Sequence, residues 1–146
     1  MINLKVIEDI YEDGEFYIGQ LLKGLKHGKG KAYYKNGNIK YDGDYDNDKF
    51  EGNGRYNYED GGFYIGQLLN GLKHGKGKEY YKNGSVKYEG DFVKGKFNGQ
   101  GKYIYENGEY YIGQFSDGVR NGKGILYAKN GKIIKNGLFF NDKFEF

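Results

Sequence analysis

Tyr17-Ile-Gly-Gln-Leu-Leu-Lys-Gly-Leu-Lys-His-Gly-Lys-Gly-Lys31 returns at Tyr64 as Tyr-Ile-Gly-Gln-Leu-Leu-Asn-Gly-Leu-Lys-His-Gly-Lys-Gly-Lys78. It returns again, degraded, at Tyr111 as Tyr-Ile-Gly-Gln-Phe-Ser-Asp-Gly-Val-Arg-Asn-Gly-Lys-Gly-Ile125. The period is 47 residues, from 17 to 64 to 111. A weaker copy lies halfway through each period, at Tyr41-Asp-Gly-Asp-Tyr45 and Tyr88-Glu-Gly-Asp-Phe92, so the unit is 23 or 24 residues. A fixed period this short means an array of supersecondary units, each too small to bury a core alone.

Within one unit, Tyr17-Ile-Gly-Gln-Leu-Leu22 is short, alternating and β-prone. Lys23-Gly24 and the polar stretch to His27 read as a turn, and Gly28 to Tyr34 as a second strand. Asn36-Gly37 closes the unit, and Asn-Gly favours a type I′ hairpin turn. Turn signals keep phase throughout, so the expected fold is all-β: an elongated, single-layer antiparallel meander of β-hairpins. About a dozen strands at ~4.8 Å each give roughly 50–55 Å. Tyr17, Gly19 and Leu21 share a face, as do Tyr41, Gly43 and Tyr45. Each glycine leaves a slot over bare backbone where a ring from an adjacent strand can lie.

Composition agrees with an array and excludes other classes. Gly is 27 of 146 residues with no Pro, which rules out collagen. Aromatics at 18% rule out simple disorder. There is no cysteine, hence no disulfide framework and no thiolate site, which leans towards a reducing, cytoplasmic setting. Lys5, Glu8 and Asp9 interrupt any signal-like run, and no stretch reaches the ~20 apolar residues of a membrane helix. A net charge of +3 is too small to imply nucleic acid.

These residues resemble the MORN repeat: Tyr-x-Gly, a short polar insert ending in Gly, then Gly-x-Gly and an aromatic strand. The pattern stands as Tyr17/Gly19/Gly28/Gly30, Tyr41/Gly43/Gly52/Gly54, Tyr64/Gly66/Gly75/Gly77, Tyr88/Gly90/Gly99/Gly101 and Tyr111/Gly113/Gly122/Gly124, with nine residues from first to second Gly in every copy. The expected repeats are 17–40, 41–63, 64–87, 88–110 and 111–134, with a partial unit at 135–146 and an N-terminal capping segment at 1–16, in which Ile2, Leu4 and Val6 alternate with Asn3 and Lys5. The odd repeats carry a linker one residue longer than the even ones. The resemblance implies a scaffold or interaction module rather than an enzyme. It also implies a link to membranes and phosphoinositides, and it matches the N-terminal arrays of some lysine methyltransferases and lipid kinases.

No catalytic constellation is legible. There is no Thr, and Ser85 and Ser116 sit beside turns, where hydroxyls serve turn structure. His27 and His74 share one phase, roughly 19–20 Å apart, too far to share a metal. Glu51, Asn98 and Asn121 fill that phase elsewhere, so it reads as a polar turn position. The Gly-x-Gly units open no helix and so make no phosphate cradle. No cofactor and no metal site are expected.

The expected function is a non-catalytic scaffold that binds protein. A peripheral binder of anionic phospholipid and a regulatory array of a larger enzyme are the alternatives. The expected contact face is the aromatic row Tyr17, Tyr34, Tyr41, Tyr45, Tyr58, Tyr64, Tyr81, Tyr88, Phe92, Tyr105, Tyr111 and Phe115. A basic edge is expected from Lys26, Lys29, Lys49, Lys73, Lys76, Lys96, Arg120 and Lys123. Phe139, Phe140, Phe144 and Phe146 crowd the final incomplete hairpin and suggest end-to-end self-association into a homodimer.

Overall fold

Alternating, glycine-punctuated segments of this kind pair with their sequence neighbours, and they do so along the whole chain. A computed structural model describes residues 5–146. Met1, Ile2, Asn3 and Leu4, part of the expected capping strand, lie outside the described residues. The strands are β1 (Lys5–Ile10), β2 (Phe16–Leu22), β3 (Leu25–Tyr33), β4 (Ile39–Asp46), β5 (Lys49–Asn57), β6 (Phe63–Leu69), β7 (Leu72–Tyr80), β8 (Val86–Val93), β9 (Lys96–Ile104), β10 (Tyr110–Ser116), β11 (Val119–Tyr127), β12 (Ile133–Phe140) and β13 (Lys143–Phe144). They form one 13-stranded sheet in sequence order, every neighbour antiparallel. The fold is therefore the single-layer hairpin meander read from the repeats.

The turn types are the reverse of the expectation. The type I′ turns lie inside each repeat, where only two residues join the strands and both need φ > 0. Asn47 and Asp48 have φ of 48° and 69°, and Lys23 and Lys94 are forced to 51° and 49°. The turns between repeats are longer. At Asn36-Gly37 only Gly37 is left-handed, at φ 89°. Gly37 N–H donates to the Tyr34 carbonyl at 2.8 Å, and Asn36 Oδ1 accepts from Asn38 N–H at 2.9 Å. A four-residue turn closed by one left-handed glycine is the three-residue-hairpin solution, and Asn-Gly serves it equally well. The stretch Leu25-Lys26-His27, expected as turn, is strand.

The constant nine-residue spacing records a bulge. Gly19 faces Gly30 and Leu21 faces Lys26, so Gln20 alone opposes His27, Gly28 and Lys29. Gly28 bends at φ 68°. The Gln20 side-chain oxygen then accepts from Lys29 N–H at 3.1 Å, which satisfies a backbone donor that the bulge removes from the ladder. Asp44, Gln67, Asp91 and Gln114 do the same for Asn53, Lys76, Gln100 and Lys123. The longer odd linkers are explained too. Ala32 pairs Tyr41 and Tyr33 pairs Ile39, so Lys40 is the extra residue, absorbed as a second bulge. Lys87 and Ile134 are its counterparts, and the junction of β5 with β6 has none.

Glycines run straight across the sheet. Gly19, Gly30, Gly43, Gly54, Gly66, Gly77, Gly90, Gly101, Gly113, Gly124 and Gly137 pair in register, one per strand from β2 to β12. Each ring lies across two slots, that of its own strand's glycine two residues on and that of the paired glycine on the next strand, so the slots of β3, β5, β7, β9 and β11 are filled from an adjacent strand as expected. A Cβ on Gly43 would lie 2.7 Å from the Tyr41 hydroxyl, and one on Gly66 would lie 2.6 Å from that of Tyr64. Lying flat lets the hydroxyl reach back to its own backbone. Tyr17, Tyr41, Tyr64, Tyr88 and Tyr111 each donate to the carbonyl three residues on, at 2.7–2.9 Å.

Neighbouring repeats are tied at the turns as well as by the ladder. Asp48, Gly71, Gly95, Gly118 and Asp142 each donate a backbone N–H from a type I′ turn to a carbonyl of the preceding hairpin, at 2.9–3.1 Å. Glu51 and Asn121, in the phase of the two histidines, accept from Asn70 and Asn141 N–H. The C-terminal chain turns back on β12: Leu138 N–H donates to the Phe146 carbonyl at 2.7 Å and Glu145 N–H to the Leu138 carbonyl at 2.9 Å.

Candidate functional site

One face of the sheet, here the inner face, carries the tyrosines that cover the glycines. Their rings interlock between repeats. Tyr17 meets Tyr45 edge-on at 5.1 Å between centroids, Tyr64 meets Phe92 at 5.2 Å, Tyr88 meets Phe115 at 5.3 Å and Tyr111 meets Phe139 at 5.0 Å. Such T-shaped pairs contribute about 0.5–1.5 kcal/mol beyond their area. The cost of this packing is availability. Of the expected contact row, Tyr17, Tyr41, Tyr64, Tyr88 and Tyr111 are wholly buried, and Tyr45, Phe92 and Phe115 nearly so. These eight are the core of the array rather than a free docking row. Tyr34, Tyr58, Tyr81 and Tyr105 remain half-buried and reach the surface.

The residues of the expected basic edge all lie in the first five positions of β3, β5, β7, β9 and β11, along the margin of the within-repeat turns, but they point to both faces. Lys26, Lys73 and Arg120, 47 residues apart, turn inward over the rings. Lys73 Nζ lies 5.6, 5.8 and 5.5 Å from the ring centroids of Tyr58, Tyr64 and Phe92. Arg120 lies 5.7 Å from Tyr111 and 5.0 Å from Phe139. These are cation–π distances. On the outer face Lys29 pairs with Asp44 and Lys76 with Asp91. Lys49, Lys96 and Lys123 stand exposed. Alternation along each strand divides this margin between the two faces.

Glu79 was missed by the sequence reading. It is buried, with Oε1 accepting from Tyr58 OH at 2.8 Å and from Lys73 Nζ. Ala32 occupies its position one period earlier. That substitution within two nearly identical segments was the available signal.

Beside this triad the inner face opens into an apolar hollow of ≈ 300 Å³ bounded by Phe50, Tyr56, Tyr58, Leu68, Leu72 and Lys73. At the opposite margin two grooves of ≈ 690 and ≈ 590 Å³ lie one period apart, under Tyr34 and Tyr81. Tyr34 donates to the Asn57 carbonyl and Tyr81 to the Ile104 carbonyl. Ser85 serves its turn, donating to Asn83 Oδ1 at 2.6 Å.

At the C-terminal end Phe139 is buried against Tyr111, and Phe144 lies 5.3 Å from Phe139 with the Lys135 ammonium over its ring. Only Phe140 and Phe146, 65% and 77% exposed, remain available for self-association.

The buried phenols give a pH signature. Burial, then the nearby Tyr11 and Asp48, pushes Tyr17 up to about 12. Burial likewise raises Tyr41, Tyr64 and Tyr88. The neutral phenol is favoured in the fold, so this stability is fully present below the unfolded value near 10. It is lost as pH rises from there through the raised folded values. We expect the tyrosinate absorbance of these buried rings to appear only together with loss of the far-UV β signal, above pH ~10. Ionisation of all seventeen phenols with the sheet intact would contradict the burial of these rings.

Comparison with known families agrees with this geometry. A family model described as MORN repeat matches residues 17–39, 41–63, 64–86, 88–110 and 111–133. No curated protein matches the chain.

Proposed function

The chain belongs to the MORN repeat family, and from that premise we propose that it is a non-catalytic scaffold whose inner face binds a protein partner. One observation carries the reading: the apolar hollow bounded by Phe50, Tyr56, Tyr58 and Leu72. In it, large side chains that could have been sealed like Tyr64 are left half-open beside a cation. The hollow lies between consecutive hairpins, and Phe97, Tyr103, Tyr105 and Val119 hold the same phase one period on, also half-buried. An extended segment or a helix laid along the array would meet both. Exposed apolar surface rimmed by polar groups is the usual mark of such an interface.

Binding to anionic phospholipid is the weaker reading. A headgroup needs unpaired cations; Lys29, Lys73, Lys76 and Arg120 of the basic margin each face a carboxylate of the same chain, which leaves Lys49, Lys96 and Lys123 exposed to meet one.

The test uses the intact chain as bait, with Tyr56→Ala in the hollow and Ile65→Asp on the outer face, far-UV spectra confirming that both are folded. A defined partner retained by wild type and by Ile65→Asp, and lost with Tyr56→Ala, supports the reading. Retention by Tyr56→Ala moves the interface away from the hollow. Co-sedimentation with phosphatidylserine vesicles that falls with added salt would favour the lipid reading.

A further inference from the structure

Three inner-face sites repeat one period apart: Tyr11, Lys26 and Ala32; Tyr58, Lys73 and Glu79; Tyr105, Arg120 and Leu126. The middle site holds a carboxylate. Glu79 is 6% exposed, and its Oε1 takes hydrogen bonds from the Tyr58 hydroxyl at 2.8 Å and from the Lys73 ammonium. In the last site Leu126 fills the Glu79 position, and Arg120 Nε pairs with Asp142 Oδ1 at 2.8 Å.

The first site keeps the cation and the phenol but not the acid. Ala32 replaces Glu79, which removes every atom beyond Cβ. Lys26 Nζ lies 4.6 Å from the Tyr11 ring, closer than Lys73 lies to Tyr58, and 5.2 Å from Tyr17. Among the described residues it forms no ion pair, and residues 1–4 contain no acid. Asp48 holds the position of Asp142 and, like it, accepts at Oδ1 from the backbone N–H of the cation's residue, here Lys26 at 2.7 Å, but it forms no ion pair with the Lys26 ammonium. Two buried hydroxyls, of Tyr11 and Tyr45, have no hydrogen-bond partner among the described residues. Tyr45 is 3% exposed. Buried hydroxyls are almost always paired, so an ammonium without a carboxylate beside two unpaired phenols marks a site lacking its acceptor.

We propose that Tyr11 and Lys26 form a receptor for a carboxylate from a partner protein, an Asp or Glu side chain entering over Ala32 and held as Tyr58 and Lys73 hold Glu79. The carboxylate accepts from both groups. Lys26 leaves its seat over the Tyr11 ring to meet it. Charge-assisted bonds of this kind are the strong ones, and the pair discriminates against a glutamine of the same shape. The proposal rests on the reading of the inner face as a binding surface and adds the chemistry of one anchor.

The test is an NMR titration of the full chain with a capped tetraglutamate peptide, whose blocked ends leave only side-chain carboxylates. Saturable shifts are expected around Tyr11, Lys26 and Ala32, and none with the tetraglutamine peptide. Lys26→Met should weaken binding about tenfold or more. Lys26→Arg should retain it, since Arg120 fills that position in the last site. Ala32→Glu should abolish it by installing the array's own carboxylate, and Glu79→Ala should open a second site at Tyr58 and Lys73. Far-UV spectra confirm that each variant is folded. Equal response to glutamine, or indifference to both Lys26→Met and Ala32→Glu, overturns the receptor. A chain that captures its partner through the Tyr56 hollow yet ignores the peptide overturns the receptor and leaves the scaffold standing.

Discussion

Gly66→Ala is expected to destabilise the array by about 3 kcal/mol, the upper end for overpacking, while Ile65→Ala, one residue away, costs well under half of that. The difference follows from what each side chain meets. A Cβ at Gly66 would lie 2.5 Å from the Gly77 Cα and 2.6 Å from the Tyr64 hydroxyl. One neighbour is backbone and the other is a buried ring held by its bond to the Gln67 carbonyl, so neither can yield cheaply. Ile65 points to the outer face and is 43% exposed. Gln67 is a poor control, because its Oε1 holds Lys76 N–H in the bulge. Thermal melts of the two variants decide the matter. Similar midpoints would mean that the glycine row is not needed for the ring to lie flat.

Tyr88→Ala should cost about 3–5 kcal/mol, and the damage should be local. Tyr88 is wholly buried and touches Phe92 and Phe97 of its own hairpin and Phe115 of the next. Tyr88→Phe keeps those contacts and loses only the bond to the Asp91 carbonyl, about 1 kcal/mol. In a linear array each repeat is coupled to its neighbours alone. Hydrogen exchange on Tyr88→Ala should therefore show β8, β9 and β10 losing protection while β2 and β3 keep theirs. Equal loss in every strand would make the thirteen strands one cooperative unit.

The repeats made the sheet order legible, because short phased turns leave a chain no neighbour but the next segment. The site was legible only in part. The Tyr-x-Gly spacing marks residues on one face, but it does not say that the ring, besides filling the neighbouring strand's slot, turns down over its own glycine. That turn is what buries Tyr17, Tyr41, Tyr64, Tyr88 and Tyr111 and takes them out of contact with partners. Lys26 and Lys29 look alike in sequence. They stand three positions apart on one strand, so alternation turns one over the rings and the other to Asp44, which is evident only once Leu25-Lys26-His27 is known to be strand. Turn type failed for a related reason: Asn-Gly fits two loop lengths, and strand ends, which sequence places poorly, choose between them. Glu79 was passed over because a lone acid in a lysine-rich strand looks solvated.

The extra residue at Lys40, Lys87 and Ile134 has a consequence for ancestry. Junctions with and without it alternate, so the array is periodic in pairs of hairpins. Copying a single 23-residue hairpin would set two like junctions side by side. Copying a 47-residue block leaves the alternation intact. Residues 17–40 match 64–87 far more closely than either matches the hairpin between them. That is the trace left by duplication of a two-hairpin block, and the heritable unit of this protein is twice its structural one.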